Sequence, residues 1–394
     1  MASQPLSSAS RDVWDVGVLA EVLRGAFISQ ERRRLRDLSR SFRAFAEKDC
    51  AGNSPLHERI AARIANDSEL LKIAAGAREG QPVAFLFFGA VHYLLLKETA
   101  HELSTFYPDL TSSPRTDDPY PAFRSFCLEH GSEIHRLVAS RLVQTNDPQR
   151  SCSLLPALEY IERQVGGRPL ALVEIGASAG LNLLWDRYSY DYGDGRRYGE
   201  PSSLVGLSCK LLGPHPPPLP ATPPAVAFRI GIDLNPIDIE DADSILWLRA
   251  LVSPEQRATA AILGKALSLA RQDPPRIVRG DAVEVLTAVL RRVPAGAILC
   301  IFHSFALAQF TEEGRRRLMD EIASWGAKRE VFLVSIEYSW EVDRTEIVVT
   351  HFNGASSLRA VLGYCDSHST WLKWIAAGSG LEAPFGSEAG LGTR

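Results

Sequence analysis

The residues best suited to chemistry form a short run of small side chains that follows an apolar stretch ending in an acid. The run reads LVEIGASAGLN over residues 172–182. The apolar stretch predicts a strand, and the small residues predict a turn at which a ligand can approach backbone N–H groups. Three chemistries use a turn of this kind: S-adenosylmethionine binding, dinucleotide binding, and attack by a serine nucleophile.

The S-adenosylmethionine pattern is acid-x-Gly-x-Gly-x-Gly. This chain has Glu174, Gly176, Ser178 and Gly180 at those places, so serine replaces the middle glycine. We therefore assign Glu174, Gly176, Ser178, Gly180 and the following Asn182 to cofactor binding. The dinucleotide pattern G-x-G-x-x-G is disfavoured, because Ser178 stands where it requires glycine and Leu181 where it requires glycine or alanine.

The serine alternative rests on the GASAG segment, which matches the nucleophile motif G-x-S-x-G with Ser178 as nucleophile. Asp281 with a later histidine (His303, His351 or His368) could complete a triad. Such a motif normally follows several strands and an oxyanion segment of the HGGG type, whereas helical sequence precedes it here. The serine hydrolase therefore stays as an alternative.

Acids that follow two further strands favour the cofactor interpretation. Asp233 ends the predicted strand 226–233, where a carboxylate would accept hydrogen bonds from both ribose hydroxyls. Asp281 and Ala282 follow the next strand, and Asp281 is placed to bind an adenine amino group. Asp281 would also serve as a helix N-cap. Ligands bind at the carboxyl ends of such strands, which favours a shared site.

His303 and Glu337 are the candidate catalytic residues, at the ends of the predicted fourth and fifth strands. Methyl transfer is an in-line displacement that depends on positioning and on a dry site. His303 would act as general base for a hydroxyl or another acidic group, and Glu337 would contact the substrate. A purely structural histidine is the alternative for His303.

Two pairs of residues are candidates for the acceptor pocket. Asn146 and Arg150 lie in a polar segment before the glycine-rich turn, and turn formation is their structural alternative. His92 and Tyr93 interrupt an apolar helix, where a core pair is the alternative. The chain lacks the Asn/Asp-Pro-Pro-aromatic motif of amino-nitrogen methylation and a Pro-Cys placed to attack a pyrimidine, so we expect a small-molecule acceptor.

The elements that position these residues fall into two parts. Residues 1–165 predict an all-helical N-terminal cover that supplies the acceptor pocket. Residues 166–394 alternate short apolar runs with helical stretches, which predicts a mostly parallel sheet with helices on both faces. Segments 346–351 and 358–365 predict an antiparallel strand pair at its end. This is an α/β, Rossmann-like layout of the class I methyltransferase type, with an insertion at 188–225 that begins with a hairpin over 188–199. The same patterns predict a helix beginning at 180–187, a helix over 120–143 and a cap at Ser54 before a helix that starts at Pro55.

Composition narrows the function classes. The 394 residues carry a formal net charge of −4, which gives no general field for a polyanion and argues against nucleic-acid binding. The six cysteines are scattered without a C-x-x-C pair, which favours free thiols, a cytoplasmic protein and no metal site. The apolar stretch 82–96 is too short to span a bilayer and predicts a buried helix. The sequence leaves the oligomeric state open.

Several of these motifs together resemble the bacterial "domain of unknown function 2332" family. They are Thr145-Asn146 with Arg150, the GASAGLN turn with its continuation DRYSY at 186–190, and R-x-G-x-D-x-x-P at 229–236. The resemblance runs from about residue 42 to residue 374, and the family looks related to class I methyltransferases. It implies S-adenosylmethionine as cofactor and implies that Ser178 is a family feature. A protein that binds a nucleoside-type ligand without catalysis remains an alternative.

Overall fold

The structure is a computed structural model that describes residues 16–78, 80–97 and 100–376. The chain divides into two compact units. One comprises the chain up to Val143 together with Ser253–Gln256, and the other comprises Gln144–Val252 and the chain from Arg257 onward. The sequence placed the boundary at residue 165, whereas residues 144–165 belong to the second unit.

The first unit is helical. Its described residues form the α-helices α1 (Val16–Ala44), α2 (Pro55–Ile64), α3 (Ser68–Ala74), α4 (Val83–Lys97), α5 (Tyr120–Glu129) and α6 (Gly131–Ser140). A π-helical turn at Phe45–Cys50 and a 3-10 turn at Glu102–Phe106 complete it. Phe42, Phe87, Phe88 and Phe123 make edge and tilted ring contacts at its centre. Aromatic packing of this kind contributes beyond the area that it buries.

The apolar stretch 82–96 is the buried helix α4, as the sequence predicted. Its apolar residues are not confined to one face, which is typical of a helix surrounded by other elements. Within the described residues, none of the helices combines the length and the apolar character needed to cross a membrane.

Two local predictions in this unit need correction. The single helix expected over 120–143 is interrupted at His130, and α6 begins at Gly131, since glycine is unfavourable inside a helix. Gly131 packs closely here, because a Cβ on it would lie 3.1 Å from Ile73 Cδ1. Ser54 does not cap α2 with its side chain. Its hydroxyl donates to Glu255, and Glu255 accepts the Leu56 N–H at 2.8 Å. A distant carboxylate thus replaces the local cap.

The second unit contains a nine-stranded sheet and a small three-stranded sheet. Its strands are β1 (Leu170–Ile175), β2 (Ser189–Asp191), β3 (Tyr198–Gly199), β4 (Gly206–Ser208), β5 (Lys210–Leu212), β6 (Val226–Asp233), β7 (Ile277–Arg279), β8 (Ile298–Ser304), β9 (Val331–Ser339), β10 (Arg344–Asn353), β11 (Ser356–Cys365) and β12 (Trp371–Trp374). Its helices are α7 (Ser151–Val165), α8 (Ala242–Ala250), α9 (Arg257–Gln272), α10 (Ala282–Leu290) and α11 (Glu312–Gly326).

The large sheet is mixed and mostly parallel, in the order β5-β12-β11-β10-β9-β8-β1-β6-β7. Strands β7, β6, β1, β8 and β9 are parallel neighbours. The predicted antiparallel pair is confirmed as β10 and β11, with His351 opposite Leu358. That pair does not end the sheet, however, because β12 and then β5 follow it.

Side chains on the two faces of the parallel strands enter two separate cores. Leu170 and Leu172 of β1 pack with residues of α7 and α9, whereas Ala171, Val173 and Ile175 pack with residues of α10 and α11. Strand β1 is buried along its whole length. A strand that is covered on both faces has a continuous apolar sequence. For this reason, this part of the sheet could be predicted from the sequence.

The segment that follows β1 departs from a simple βα unit. The helix expected from residue 180 is a 3-10 helix, Leu181–Arg187. The hairpin expected in the insertion is confirmed, since β2 pairs antiparallel with β3. The insertion also builds the three-stranded sheet and supplies the edge strand β5. The crossover from β1 to β6 is therefore made largely by extended chain.

Candidate functional site

The candidate site lies at the carboxyl ends of the parallel strands, around β1. The chain passes from β1 to β6 and β7 on one side and later to β8 and β9 on the other. Strand order therefore reverses between β1 and β8. In open α/β sheets the crevice outside such a switch point is where ligands bind. Glu174, Asp233, His303 and Glu337 all stand at the carboxyl ends of these strands.

The glycine-rich turn after β1 depends on left-handed backbone and close packing. Gly176, Ser178 and Gly180 have φ values of 75°, 52° and 74°. A Cβ on Gly176 would lie 2.6 Å from the Cβ of Ala306, so only glycine fits there. A serine with positive φ is uncommon, and such a conformation persists where the surroundings stabilise it.

Asp233 and Asn146 hold this turn. Asp233 Oδ2 accepts the Ser178 N–H at 2.8 Å, and its Oδ1 accepts from the Asn235 N–H at 2.7 Å and from Gln144 Nε2 at 3.2 Å. Asn146 Oδ1 accepts the Leu181 N–H at 2.9 Å. Both side chains were predicted to contact ligands, and the structure also uses both to support the turn.

Glu174 is a buried carboxyl, only 2% exposed. Burial raises its pKa well above the usual range, and a hydrogen bond from Asn182 opposes this only in part. Asn182 is itself oriented, because its Oδ1 accepts from Ser151 at 3.1 Å. Burial therefore favours the neutral form of Glu174, in which its carboxyl can donate a hydrogen bond.

His303 and Glu337 form a hydrogen-bonded pair across β8 and β9. His303 Nδ1 lies 2.8 Å from Glu337 Oε1, and that oxygen also accepts the N–H groups of Ala306 and Leu307. His303 is 1% exposed. With Nδ1 donating to the carboxylate, Nε2 carries the lone pair of a neutral imidazole, as a general base requires. Glu337 orients the histidine and the turn that follows β8.

Arg150 reaches the same end of the sheet. Its guanidinium lies over the ring of Phe305, 4.5 Å from the centroid, and its Nε donates to the Ser367 carbonyl at 3.1 Å. Burial lowers the pKa of Arg150, while the charges of Asp147 and Glu337 oppose that shift. The guanidinium stacked on Phe305 is thus a positive group near the carboxyl groups of Glu174 and Glu337.

Asp281 and Ala282 begin α10. Asp281 is exposed and accepts the Val283 N–H at 2.9 Å, so the N-cap alternative holds for it. Ala282 is buried at 4% exposure. Leu234, which sequence reasoning missed, follows Asp233 and is 62% exposed. Its only sequence signal was an apolar residue directly after a strand-end acid.

The other predicted pocket residues, His92 and Tyr93, belong to the helical unit. His92 Nε2 lies 2.9 Å from Asp109 Oδ2, and its ring packs 5.4 Å from that of Tyr107. Tyr93 is 2% exposed and lies under the Lys97 ammonium and the Arg141 guanidinium. These contacts match the core-pair alternative for both residues.

Unpartnered polar atoms mark the crevice most clearly. Seven buried side-chain atoms of the described residues have no hydrogen-bond partner in the protein. Four of them belong to Glu174, Ser178, His303 and Ser304, at the carboxyl ends of β1 and β8. A buried polar group without a partner costs about 1–3 kcal/mol, so four at neighbouring strand ends mark a place where ordered water or a ligand would supply partners. Ser304 was also missed by sequence reasoning.

The same atoms bear on the serine hydrolase alternative. Ser178 Oγ and His303 Nε2 are both without partners, so they are not bonded to each other.

No group of three or more His, Cys, Asp or Glu side chains among the described residues is placed to hold a metal ion. All six cysteines are free and buried.

The fold defines a mixed α/β protein, and its candidate ligand site lies at the switch point of the sheet. The chain belongs to a bacterial family described as "Uncharacterized protein conserved in bacteria (DUF2332)", which matches residues 39–374. A search of curated proteins found no match to this chain.

Proposed function

We propose that this protein is an S-adenosylmethionine-dependent methyltransferase that acts on a small-molecule acceptor. The observation that carries the proposal is the group of four buried, unpartnered polar atoms beside the glycine-rich turn. The order β7-β6-β1-β8-β9 supports it, because that parallel order is typical of doubly wound nucleotide-binding sheets.

The residues at the crevice fit the parts of such a cofactor. Leu234 offers an apolar face to a base, Asp281 offers a carboxylate to an amino group, and Arg150 offers donors to a carboxylate. Asp233 already accepts three hydrogen bonds, which leaves one of its roughly four acceptor positions for a ribose hydroxyl. We therefore propose one ribose hydrogen bond to Asp233, in place of the pair expected from the sequence.

The cofactor would supply a methyl group on a positively charged sulfur. His303 is then the group that receives a proton from the acceptor at Nε2, while Glu337 holds Nδ1 and maintains the tautomer. The neutral carboxyl of Glu174 can donate to an acceptor atom of either ligand. General-base action of this kind contributes about 10²- to 10⁴-fold in rate.

Calorimetry with S-adenosylmethionine and S-adenosylhomocysteine tests the proposal. We expect saturable binding of both, and the absence of heat at millimolar ligand would refute the cofactor. Asp281→Asn keeps the N-cap, because asparagine caps as well as aspartate, but removes the carboxylate. We expect this variant to weaken binding several-fold with unchanged thermal stability.

Asp241→Asn is the matched control, since Asp241 caps α8 in the same way and stands at the end of no strand. Equal affinity in the Asp281→Asn variant and the wild type would mean that the adenine position is wrong.

A serine hydrolase is the second candidate, favoured by the left-handed φ of Ser178, because a nucleophile on a strand-to-helix elbow occupies a strained turn. Labelling of Ser178 by a fluorophosphonate would support it. Cofactor binding without methyl transfer to any acceptor would instead favour the non-catalytic ligand-binding protein.

A further inference from the structure

One arginine at the carboxyl end of the sheet lacks a carboxylate partner. Arg150 directly precedes α7 and is half-buried. Its Nε donates to the Ser367 carbonyl, but within the described part of the chain neither of its Nη atoms has a hydrogen-bond partner and no carboxylate forms an ion pair with it. A guanidinium that is partly withdrawn from water is normally paired, so Arg150 marks a place where an anion can bind.

The ring of Phe305 holds this guanidinium, whose carbon lies 4.5 Å from the ring centroid. Phe305 follows β8 with a left-handed φ of 53°, a strained conformation for a bulky residue. Its N–H donates to the Ile336 carbonyl at 3.0 Å, and Glu337 accepts the next two N–H groups. Strand β9 therefore fixes the ring, and the guanidinium is in place before a ligand binds.

Glu174 and Ser304 point to the face of the sheet that α7 covers. Leu172 and Phe302, two residues before them on β1 and β8, belong to the core that contains residues of α7. Residues two apart on a strand lie on the same face, so both side chains point to that side. Phe305 packs against the same core. The ring under Arg150 and these two side chains therefore lie on one side of the strand ends.

Hydrogen bonds connect Glu174 with the chain at Arg150. Asn182 hydrogen-bonds Glu174, and its Oδ1 accepts from the hydroxyl of Ser151, the residue after Arg150, at 3.1 Å. Glu174 and Arg150 act on each other's charge without forming an ion pair between them. Glu174 Oε2 is buried and has no partner in the described part of the protein. Each of the two side chains thus keeps hydrogen-bonding atoms for a ligand.

The groups without partners on this side can all act as donors. Burial raises the pKa of Glu174, which favours the carboxyl form that carries a proton. The buried hydroxyl of Ser304, which also has no partner among the described residues, can donate as well. Together with the Nη groups of Arg150, these donors suit an anionic group, which accepts several hydrogen bonds.

Two carboxylates near Arg150 do not take the place of that anion. The charges of Asp147 and Glu337 act on Arg150, but both groups have other partners. Asp147 Oδ2 lies 2.7 Å from His368 Nδ1, and Glu337 Oε1 accepts two backbone N–H groups. Their charges are thus compensated locally, and the charge of Arg150 is left for a ligand to balance.

We propose that Arg150, Ser304 and Glu174 form a binding site for a carboxylate, in which the guanidinium, the hydroxyl and the carboxyl group all donate to one anionic group. Phe305 acts through Arg150 and is a positioning residue. The inference goes beyond the proposed function, because it assigns an anionic group to the ligand whatever reaction takes place in the crevice. The proposed cofactor and its acceptor are two sources of such a group, and the test separates them.

The test uses the full chain and two probes of equal shape, benzoate and the neutral benzamide, in titrations followed by ligand-observed NMR. We expect benzoate to bind with millimolar affinity and at least tenfold more tightly than benzamide. Arg150→Met keeps the apolar stem over Phe305 and should abolish this preference. Arg150→Lys should restore only part of it, because an ammonium lacks the planar fork.

Conservative pairs test the other two groups. Glu174→Gln keeps a donor and should keep most of the affinity for benzoate, whereas Glu174→Leu should weaken it about tenfold. Phe305→Tyr keeps the ring, whereas Phe305→Leu removes it and should weaken binding a few-fold. Tighter binding in Glu174→Gln would show that Glu174 is ionised and repels the anion, which would overturn the proposal.

Arg344→Met is the matched control. Arg344 also lies over a ring, 5.2 Å from the Tyr364 centroid, and its Nε also donates to a carbonyl, that of Val342. Its replacement should leave benzoate binding unchanged. Equal binding of the two probes by the wild type, or an equal loss in Arg344→Met and Arg150→Met, would refute the carboxylate site.

Titration of benzoate in saturating S-adenosylhomocysteine separates the two sources. Competition assigns the site to the carboxylate of the cofactor, and an unchanged affinity assigns it to the acceptor. Benzoate binding by a protein that does not bind S-adenosylhomocysteine would support the carboxylate site and refute the proposed cofactor, so the two failures are distinct.

Discussion

Each unit of the chain contains a buried histidine bonded to a carboxylate, and the two pairs have different surroundings. In the helical unit, His92 and Asp109 are 2.9 Å apart; the His92 ring is buried in α4 beside the Tyr107 ring, and Asp109 lies at a turn. In the sheet unit, His303 and Glu337 are 2.8 Å apart, but Nε2 of His303 has no partner. Glu337 also accepts two backbone N–H groups, so its charge is compensated even without the histidine.

The difference separates a structural pair from a candidate catalytic pair. A polar pair in a packed core contributes to stability only if both members keep their partners. A buried histidine whose second ring nitrogen has no hydrogen-bond partner lowers the stability of the fold. That nitrogen is, however, free to accept a proton from a ligand. The same two residue types thus have different roles because the surroundings differ.

Replacing His92 should have the largest effect. His92→Leu removes a buried imidazole and leaves the Asp109 carboxylate, whose side chain is 19% exposed, without that partner, so we expect a loss of about 2–3 kcal/mol in the free energy of unfolding. Urea denaturation followed by circular dichroism measures it. Asp109→Asn, which can still accept a hydrogen bond, should lose clearly less. A loss below about 1 kcal/mol for His92→Leu would remove the contrast between the pairs.

The helical unit should also be the source of acid sensitivity. Burial and the neighbouring His92 lower the pKa of His57 to about 3. The unfolded chain binds this proton below about pH 6.5 and the folded chain does not, so stability falls as the pH falls from 6.5 toward 3. Between pH 6.5 and 4.5 we expect a loss of about 2 kcal/mol from this residue. His57→Leu should flatten the profile, and an unchanged slope would contradict the assignment.

Replacing His303 should have the smallest effect on stability. His303→Leu removes one hydrogen bond, but it also removes a buried nitrogen without a partner, and Glu337 keeps both of its backbone donors. We expect a change below about 1 kcal/mol in the same urea experiment. A loss as large as that of His92→Leu would show that His303 is a structural residue too.

Sequence reasoning predicted the parallel strands and their terminal acids, because strands buried on both faces appear as apolar runs of fixed length. It misplaced features that depend on distant contacts. Gly131 packs closely against Ile73 at the break between α5 and α6, and Glu255 replaces a local cap at α2. Ser304 was missed because only the lack of a hydrogen-bond partner for its hydroxyl distinguishes it, and Leu234 was missed because only its exposure does.

By itself the sequence determined the strand and helix periodicity, the glycine-rich turn after β1 and the acids that follow the strands, because these are local properties of neighbouring residues. Only the tertiary structure decided that Asp233 is largely occupied by the turn that it supports. It also decided that His92 lies in a core while His303 keeps an open nitrogen. Hydrogen-bond partners come from residues far apart in the chain, and the role of a polar side chain depends on which partners remain for a ligand.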